Sequence, residues 1–420
     1  MKEVPKLNLQ KTFEAFETGK GMVPGGVIGI RRPYNFVEGE YPIFFDHGKG
    51  GRVVDIDGNE YIDFLCAYGP IILGYREEEV DEAVIRQIRD KGFCFSLTQV
   101  YQNHLAAKLR ELIPCAEMFI FVKTGSDAMT TAVRLARGHT GRVKVMRNGY
   151  HGWHDWCVEV KGGIPPKLYE DVHEFEYNDL DSLAGLLAKY GDQTAAITLT
   201  PFGHATAKPM AAPAPGFLEG VRELADKYGV VLIFDEVRTG FRVSMGGAQE
   251  YYGVTPDLAC FGKAMANGYS ISVVAGKTEV MKAGEHEVFI SSTFFPNSLG
   301  YVASLKTIEI LQRDNVLQAV WAKGKKLMTQ MAASIARHDV GAELSGIEPM
   351  FFITFKKDGK QLYRQRRQEF YTQLIRRGVF MQPYHHAYVC YRHTDEDLAC
   401  TAQAVEESLA LVEEKYGRFS

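Results

Sequence analysis

The sequence of 420 residues lacks several features that would place it in other classes of protein. It has no apolar run long enough to span a membrane, and its opening stretch, MKEVPKLNLQKTFEAFETGK, has no apolar core of signal-peptide length. We therefore expect a soluble, cytoplasmic protein. The formal net charge is only −4 and the acidic and basic residues are interspersed, so neither nucleic acid nor a membrane surface is an expected partner.

Cysteine is scarce and metal-ligand spacing is missing. The seven cysteines are an odd number, lie far apart and form no Cys-x-x-Cys pair, which argues against a disulfide framework and a zinc knuckle. Some histidines could be read as metal ligands, but no set has convincing spacing with a carboxylate, so we predict no metal site. These histidines are His151, His154, His385, His386 and His393.

Alternating helical and strand patterns predict an α/β fold. In RVVDIDGNEYIDFLC, the dipeptide Asp57-Gly58 separates two apolar-alternating runs, as in a β-hairpin. Further along, MFIFVK, VKVMR, AAITLT and VVLIFD alternate with helical patterns, which predicts a large, mostly parallel sheet covered by helices on both faces. We predict an N-terminal arm and part of a small domain in residues 1–77, a large domain in residues 78–315, and the rest of a small α+β domain in residues 316–420.

In such sheets the ligand site lies at the carboxyl ends of the strands. After MFIFV come Gly125 and Ser126, at the start of a predicted helix whose free N–H groups and hydroxyl suit a phosphate. The alternative is that Ser126 only caps the helix. After VKVMRNG comes Tyr150, whose ring could stack on a planar ligand or pack in the core.

Two charged residues follow strands where an unpaired charge would be costly. Asp235 ends the apolar run VVLIFD, and a carboxylate there needs a cationic partner. Lys263, 28 residues later in FGKAMANG, has only small and apolar neighbours in sequence, an environment in which an amine tends to lose its proton. Pyridoxal 5′-phosphate (PLP) would use all of these groups, since it needs a phosphate seat, a stacking group, a carboxylate at its ring nitrogen and a lysine for its aldehyde.

The sequence resembles class III aminotransferases of PLP fold type I over nearly its whole length. It is similar to the glutamate-1-semialdehyde 2,1-aminomutase family in MVPGGV, DGNEYIDFLCAYGPIILGY, YHG, PGFLEGVRELADKYGVVLIFDEVRTGFRV, GGAQEYYGVTPDL and FGKAMANG. CAYGPIILGY, KTGSDA and QPYHH instead resemble an amine-acting branch such as the hydrolysed-fumonisin aminotransferases, and aminoglycoside-pathway aminotransferases are another candidate relation.

The resemblance implies roles for particular residues. Lys263 would be the Schiff-base lysine and Asp235 the partner of the ring nitrogen. Val237 would pack beneath the ring and Tyr150 above it, while Gly125 and Ser126 would contact the phosphate. Thr293 matches a threonine that reaches the phosphate of the neighbouring subunit in this family, so a homodimer with shared active sites is implied.

Substrate residues are less well marked. Arg32 falls near the position where the aminomutase holds its substrate carboxylate, which arginine would bind with two hydrogen bonds, although it could equally be a surface arginine in an arm. Arg392 is a weaker candidate for the same task. Tyr68 stands where the aminomutase has an active-site aromatic residue, whereas His385 and His386 replace different residues of that family.

Other functions fit the sequence less well. AGKT, ending at Thr278, imitates the end of a P-loop, but Ile271 occupies the position of the required first glycine. A PLP-fold protein without catalysis is disfavoured because Lys263 and Asp235 are both present. We therefore predict a PLP-dependent aminotransferase that moves an amino group between a primary amine or amino acid and a ketone or aldehyde, storing it as pyridoxamine phosphate. An amino sugar or a long-chain amine is a candidate substrate. An intramolecular aminomutase of the glutamate-1-semialdehyde type is the alternative.

Overall fold

The computed structural model describes residues 4–203, 208–359 and 361–419. The chain divides into two compact units. The described residues of the first unit are 4–77, 208–210, 318–359 and 361–419, and those of the second unit are 78–203 and 211–317. Within the described residues, no helix is long and apolar enough to cross a membrane.

The strands and helices are as follows. The strands are β1 Phe45–Lys49, β2 Arg52–Asp55, β3 Glu60–Asp63, β4 Met118–Val122, β5 Lys144–Asn148, β6 Val172–Glu174, β7 Thr194–Leu199, β8 Val231–Asp235, β9 Leu258–Phe261, β10 Ser272–Gly276, β11 Ala342–Ile347, β12 Met350–Phe355, β13 Val379–Phe380 and β14 Ala387–Tyr388. The α-helices are α1 Gln10–Lys20, α2 Glu78–Lys91, α3 Tyr101–Leu112, α4 Gly125–Thr140, α5 Leu180–Tyr190, α6 Phe217–Tyr228, α7 Ala248–Tyr252, α8 Thr278–Met281, α9 Ala283–His286, α10 Ser298–Arg313, α11 Val316–His338, α12 Tyr363–Arg376 and α13 Asp395–Tyr416. Short 3-10 turns are Gly29–Arg31, Pro33–Asn35, Cys66–Tyr68, Pro166–Leu168, Gly191–Gln193 and Lys263–Ala266.

The second unit is built on a sheet with the strand order β4-β10-β9-β8-β7-β5-β6. The pairs among β9, β8, β7, β5 and β6 are parallel, whereas β10 runs antiparallel to both of its neighbours. Strands β7 and β8 are buried along their whole length, as expected of parallel strands covered on both faces. The predicted parallel-rich α/β fold is therefore confirmed.

Helix α4 packs on this sheet through an apolar face. Its buried alanines and larger residues, including Met129 and Val133, join the core with Val145, Ile233 and Val274 from the strands. Because α4 begins directly after β4, its N-terminus is fixed at the edge of the sheet where the parallel strands end.

The first unit contains two smaller antiparallel-rich sheets, with strand orders β1-β2-β3-β13 and β11-β12-β14. β2 and β3 pair antiparallel across the turn at Asp57-Gly58, and Gly58 has a φ of 94° that glycine adopts without strain. The hairpin predicted there is confirmed. β13 then pairs in parallel with β3, so segments from both parts of the chain complete one sheet.

Candidate active site

Two neighbouring parallel strands bring Asp235 and Lys263 to the same edge of the large sheet. Asp235 is the last residue of β8, and it pairs in register with Cys260 of β9. Lys263 follows Cys260 by three residues, at the start of a short 3-10 turn. The strand-end reasoning applied to the sequence therefore selects two residues that the parallel register holds near each other.

Lys263 occupies an environment that weakens its positive charge. Its side chain is half-buried and its backbone has a φ of 46°, in the left-handed region that few non-glycine residues adopt. Burial, helped by the guanidinium groups of Arg238 and Arg242, lowers the pKa of Lys263 to about 8 against the opposing attraction of Asp235. The lowered pKa gives a larger neutral fraction near neutral pH than an ordinary lysine has, which suits an amine that must act as nucleophile and base.

Asp235 has a histidine as its partner. Its Oδ2 lies 2.9 Å from Nδ1 of His151, and its Oδ1 accepts a hydrogen bond from the N–H of Val237 at 3.2 Å. His151 and Asp235 are only 1% and 7% exposed, so the pair is removed from solvent. An N–H donor at Nδ1 holds the carboxylate in one orientation and satisfies one of its oxygen atoms.

The pairing of His151 with Asp235 was missed by the sequence analysis, which weighed this histidine only as a metal ligand. The available signal was its position. His151 directly follows Tyr150 shortly after β5, another parallel strand that ends at the same edge of the sheet. The carboxylate at the end of β8 needed a partner, and such a strand end was the place to seek it.

The start of α4 provides donors for an anion. Thr124 is the N-cap residue: its Oγ1 accepts from the N–H of Asp127 at 3.1 Å, and Oδ2 of Asp127 accepts from the N–H of Thr124 at 2.9 Å. The alternative that Ser126 caps the helix is therefore wrong, because the capping box belongs to Thr124 and Asp127. The box occupies the N–H of Asp127, whereas the N–H groups of Gly125 and Ser126, in the first turn, have no acceptor within the helix and suit an anion there.

The backbone at the start of α4 lies in close contact with Val237 and with the loop at Gly152. A Cβ added to Gly125 would lie 2.9 Å from Cγ1 of Val237, and one added to Gly152 would lie 2.3 Å from Oγ of Ser126. Oγ of Ser126 also accepts a hydrogen bond from the N–H of Trp153 at 3.3 Å. Gly152 has a φ of 109°, so both its conformation and its surroundings exclude a side chain.

The donor set fits PLP. Two backbone N–H groups and a hydroxyl at the start of α4 suit its phosphate. The buried carboxylate of Asp235 suits its ring nitrogen, and the amine of Lys263, with its lowered pKa, suits its aldehyde. Val237 is half-buried beside Gly125 and offers an apolar surface for a ring. The ring of Tyr150 is 56% exposed, which leaves its face accessible for stacking.

Glu236, next to Asp235, has a different task. It is fully buried, and its carboxylate accepts from the hydroxyl of Thr239 and, at 2.9 Å each, from the N–H groups of Ala248 and Gln249. Burial outweighs these bonds and raises the pKa of Glu236 to about 7. Of the two consecutive carboxylates, Glu236 therefore anchors the loop before α7, and Asp235 bonds to His151.

The structure describes Thr293 and Arg32 by their surroundings within their own units. Thr293 is exposed in the segment before α10 of the second unit. In the first unit, Arg32 donates from Nε to the carbonyl of Val27 and from Nη2 to that of Pro24, both at 3.3 Å. These bonds fold its guanidinium onto its own loop, and its contact with a substrate stays a prediction.

The other residues singled out in the first unit have internal partners. The hydroxyl of Tyr68 donates to the carbonyl of Ile30 at 3.2 Å, and its ring meets that of His385 edge to face, with centroids 5.1 Å apart. His385 in turn stacks on His386 with centroids 4.2 Å apart. Arg392 pairs with Glu77 through two hydrogen bonds of 3.0 and 2.9 Å, which favours a structural role.

His393 belongs to a buried group with two cysteines. One ligand atom from each of Cys66, Cys390 and His393 lies within 4.8 Å of the others. Both ring nitrogens of His393 already have backbone partners: Nδ1 accepts from the N–H of Cys390, and Nε2 donates to the carbonyl of Asp63, each at 3.1 Å. The ring would have to give up one of these bonds to coordinate an ion, so the group has the character of a packed polar cluster.

Comparison with known proteins agrees with this geometry. The model of the aminotransferase class-III family matches residues 34–409 of the chain. The chain belongs to this family, and it is a PLP-dependent enzyme of fold type I. The family and cofactor inferred from the sequence are thereby confirmed.

Particular relatives refine the comparison. The chain is 64% identical over 407 residues, 97% of its length and 98% of the relative's, to a 3-aminobutyryl-CoA aminotransferase of Cloacimonas acidaminovorans (strain Evry). It is 33% identical to a glutamate-1-semialdehyde 2,1-aminomutase of Archaeoglobus fulgidus, covering 96% of this chain and all of that one. Among solved structures, the FumI protein of Sphingopyxis sp. MTA144 in its PLP internal aldimine form matches with a TM-score of 0.92 and 30% identity over 98% of both chains.

Proposed function

We propose that this enzyme transfers the amino group from C3 of a 3-aminoacyl-CoA thioester, such as 3-aminobutyryl-CoA, to a 2-oxo acid. The observation that carries the substrate assignment is the identity of 64% to the Cloacimonas aminotransferase, over 97% of the chain, against 33% to the aminomutase. The site of Lys263, Asp235 and His151 supplies the chemistry that both reactions need.

The chain's own residues would hold and tune the cofactor. The N–H groups of Gly125 and Ser126 bind the phosphate at the positive end of α4. Asp235, oriented by His151, would keep the ring nitrogen protonated, and Val237 and Tyr150 would pack against the two faces of the ring. When bound, PLP supplies an aldehyde for the substrate amine and a ring that withdraws electrons from the adjacent carbon.

Lys263 would move the protons. Its neutral amine would act as general base toward the proton on the carbon that bears the amino group, and its protonated form would then act as general acid. Because burial lowers the pKa of Lys263 to about 8, the amine and its conjugate acid are both populated near neutral pH. Each turnover needs both forms.

The proposed substrate has no carboxylate beside the reacting carbon, since its acyl group ends in a thioester. An arginine clamp like that of the aminomutase is then unnecessary. The two guanidinium bonds that Arg32 makes to the carbonyls of Val27 and Pro24 support this reading, because they engage donors that a substrate carboxylate would require.

A substrate panel tests the proposal. Purified enzyme with PLP would receive 3-aminobutyryl-CoA, free 3-aminobutyrate, alanine, an amino sugar, a long-chain primary amine or 4,5-diaminopentanoate, each with 2-oxoglutarate or pyruvate. We expect the CoA thioester to give the highest kcat/KM and a 3-oxoacyl-CoA product. A higher kcat/KM for any other amino donor would contradict the substrate assignment, and conversion of glutamate 1-semialdehyde without an amino acceptor would establish the aminomutase alternative.

We also propose the homodimer with shared active sites. The exposed position of Thr293 supports it, as does the exposure of Phe289 and Phe294 in the same segment, at 86% and 60%. Large exposed aromatic residues are typical of interfaces. Sedimentation equilibrium of the purified protein would give the mass of a dimer, and a monomeric mass with full activity would refute shared sites.

A further inference from the structure

A cavity separate from the residues assigned to the cofactor lies beside α4 in the second unit. It has a volume of about 400 Å³, within the range of small-molecule sites. It is lined by Thr130, Val133, Arg134, Arg137, Trp153, His154, Asp155, Trp156 and Leu168. None of these residues has a role in the chemistry assigned to Lys263 and Asp235.

One wall is a continuous face of α4. Thr130, Val133, Arg134 and Arg137 are spaced by three, one and three residues, the pattern of one side of an α-helix. The helix begins at the phosphate seat, and its rise of about 1.5 Å per residue puts Arg134 about 12 Å along the axis from Ser126. The cavity is therefore a fixed distance away from the predicted position of the cofactor phosphate.

The opposite wall comes from the loop that follows Gly152. Trp156 is buried, and its Nε1 donates to Oγ1 of Thr130 at 2.8 Å. Nδ1 of His154 lies 2.7 Å from the same hydroxyl oxygen. These contacts fix the loop against α4, so the cavity has a formed wall.

Trp153 is placed very differently from Trp156. Its side chain is 69% exposed although it borders the cavity, and its ring contacts that of His154 edge to face, with centroids 5.4 Å apart. A large exposed indole beside a polar cavity offers a flat surface on which an aromatic base can stack.

Cations and one acid define the charge of the cavity. Arg134 is exposed, and Arg137 is half-buried, with its Nε donating to the carbonyl of Val143 at 2.9 Å; both residues line the cavity. Arginine is well suited to phosphate because its guanidinium donates two parallel hydrogen bonds. Asp155 is the acid in the lining, and its carboxylate can accept from the amino group of an adenine.

We propose that this cavity binds the phosphoadenosine end of the CoA thioester, with Trp153 stacking on the adenine and Arg134 and Arg137 pairing with phosphate groups. The inference rests on the proposed function and adds a binding site to it. The connection to the active site is short, since the N–H of Trp153 donates to Oγ of Ser126 in the phosphate seat. The pantetheine arm would span from the cavity to the amine of Lys263.

The test compares two substrates that differ only at the nucleotide end: 3-aminobutyryl-CoA and 3-aminobutyryl-pantetheine. Arg134→Glu and Trp153→Ala would be assayed as PLP-loaded enzymes, with Arg86→Glu on the exposed surface of α2 as the matched charge-reversal control. We expect each cavity variant to raise KM for the CoA thioester about tenfold, as loss of one charged contact or one stacked base predicts. In Arg134→Glu, KM for the pantetheine thioester and kcat for both substrates should stay unchanged, and the control should match the wild type.

A direct measurement accompanies the kinetics. Adenosine 3′,5′-bisphosphate should change the tryptophan fluorescence of the holoenzyme in a saturable way and compete with the CoA thioester, and Arg134→Glu should weaken both effects. Equal wild-type kcat/KM values for the two thioesters, or an unchanged preference in both cavity variants, would overturn the cavity assignment alone. If the wild type converts neither thioester, the proposed function fails and the cavity assignment falls with it.

Discussion

Nδ1 of His151 lies 2.9 Å from Oδ2 of Asp235, and both side chains are buried at the carboxyl edge of the large sheet. This contact links two residues 84 positions apart in the chain. A buried carboxylate would otherwise lack a strong partner, and its orientation decides how well it can hold a protonated ring nitrogen. We therefore infer that His151 is a positioning residue that acts through Asp235.

Replacing His151 separates this role from simple packing. His151→Leu removes the donor, and we expect kcat to fall about tenfold because one charge-assisted hydrogen bond is lost. His151→Asn keeps a side-chain N–H donor and should recover most of the activity. The absorption spectrum of bound PLP should shift in the Leu variant and return in the Asn variant. Equal activity of the Leu variant and wild type would show that the contact has no catalytic role.

Asp235→Asn tests the charge itself. The amide matches the carboxylate in shape but cannot stabilise a positive ring nitrogen, so we expect kcat to fall about 10²- to 10³-fold, the usual cost of a lost preorganised electrostatic partner. Asp235→Glu retains the charge and should lose less. Stopped-flow measurement of the half-reaction with an amino donor would give both rates, and an Asn variant at wild-type rate would remove Asp235 from the mechanism.

Gly152 tests the phosphate seat. An alanine Cβ there would lie 2.3 Å from Oγ of Ser126, on a backbone with φ of 109°. We expect Gly152→Ala to weaken PLP binding at least about tenfold, since the strained backbone must displace Ser126. Gly162→Ala is the matched control, because a Cβ at Gly162 meets no atom within 4 Å. Fluorescence titration of the apoproteins with PLP would detect the difference, and equal affinities would contradict the proposed seat.

The lowered pKa of Lys263 has a consequence for stability. When folding lowers the pKa of a cationic group, that group reduces the free energy of unfolding. The full reduction is present below the pKa of the folded state, and it disappears as the pH rises toward the pKa of the unfolded state. With values of about 8 folded and 10.5 unfolded, Lys263→Met should stabilise the apoprotein by about 3 kcal/mol at about pH 7 and by about 1.5 kcal/mol at about pH 9.5.

Urea unfolding of both apoproteins across that pH range would measure this trend. Arg86→Met, at an exposed helical position, is a control that should show no such dependence on pH. A stability difference for Lys263→Met that stays constant or grows with pH would show that the amine is not destabilised by its surroundings.

The sequence was most informative where a local pattern determines a local structure. Runs such as VVLIFD and the turn at Asp57-Gly58 predict strands and a hairpin from neighbouring residues alone, and parallel strands then bring residues at their ends to one edge. Asp235 and Lys263 could be paired for that reason. Their cofactor, however, was identified from the whole set of residues and from the family resemblance.

The sequence did not predict the cap of α4 or the partner of Asp235, because the first depends on competition between nearby groups and the second on a contact between distant residues. Both Thr124 and Ser126 can cap a helix, and only the reciprocal bonds between Thr124 and Asp127 decide which one does. The position of His151 after β5 makes it one possible partner of Asp235, but the sequence does not select it from the other residues at the strand ends, nor does it separate Asp235 from the buried Glu236. For His151 the choice is made by packing between elements that lie 84 positions apart, and for Glu236 by bonds to Thr239, Ala248 and Gln249.

Transfer of nitrogen between two molecules is the most direct measurement of the proposed activity. The enzyme with PLP would receive 3-aminobutyryl-CoA labelled with nitrogen-15 at its amino group, together with an unlabelled 2-oxo acid, and the products would be analysed by mass spectrometry. We predict that the label appears in the new amino acid and that Lys263→Ala abolishes the transfer. Retention of the label in the donor, whether unmoved or shifted to another carbon, would contradict the proposed transamination.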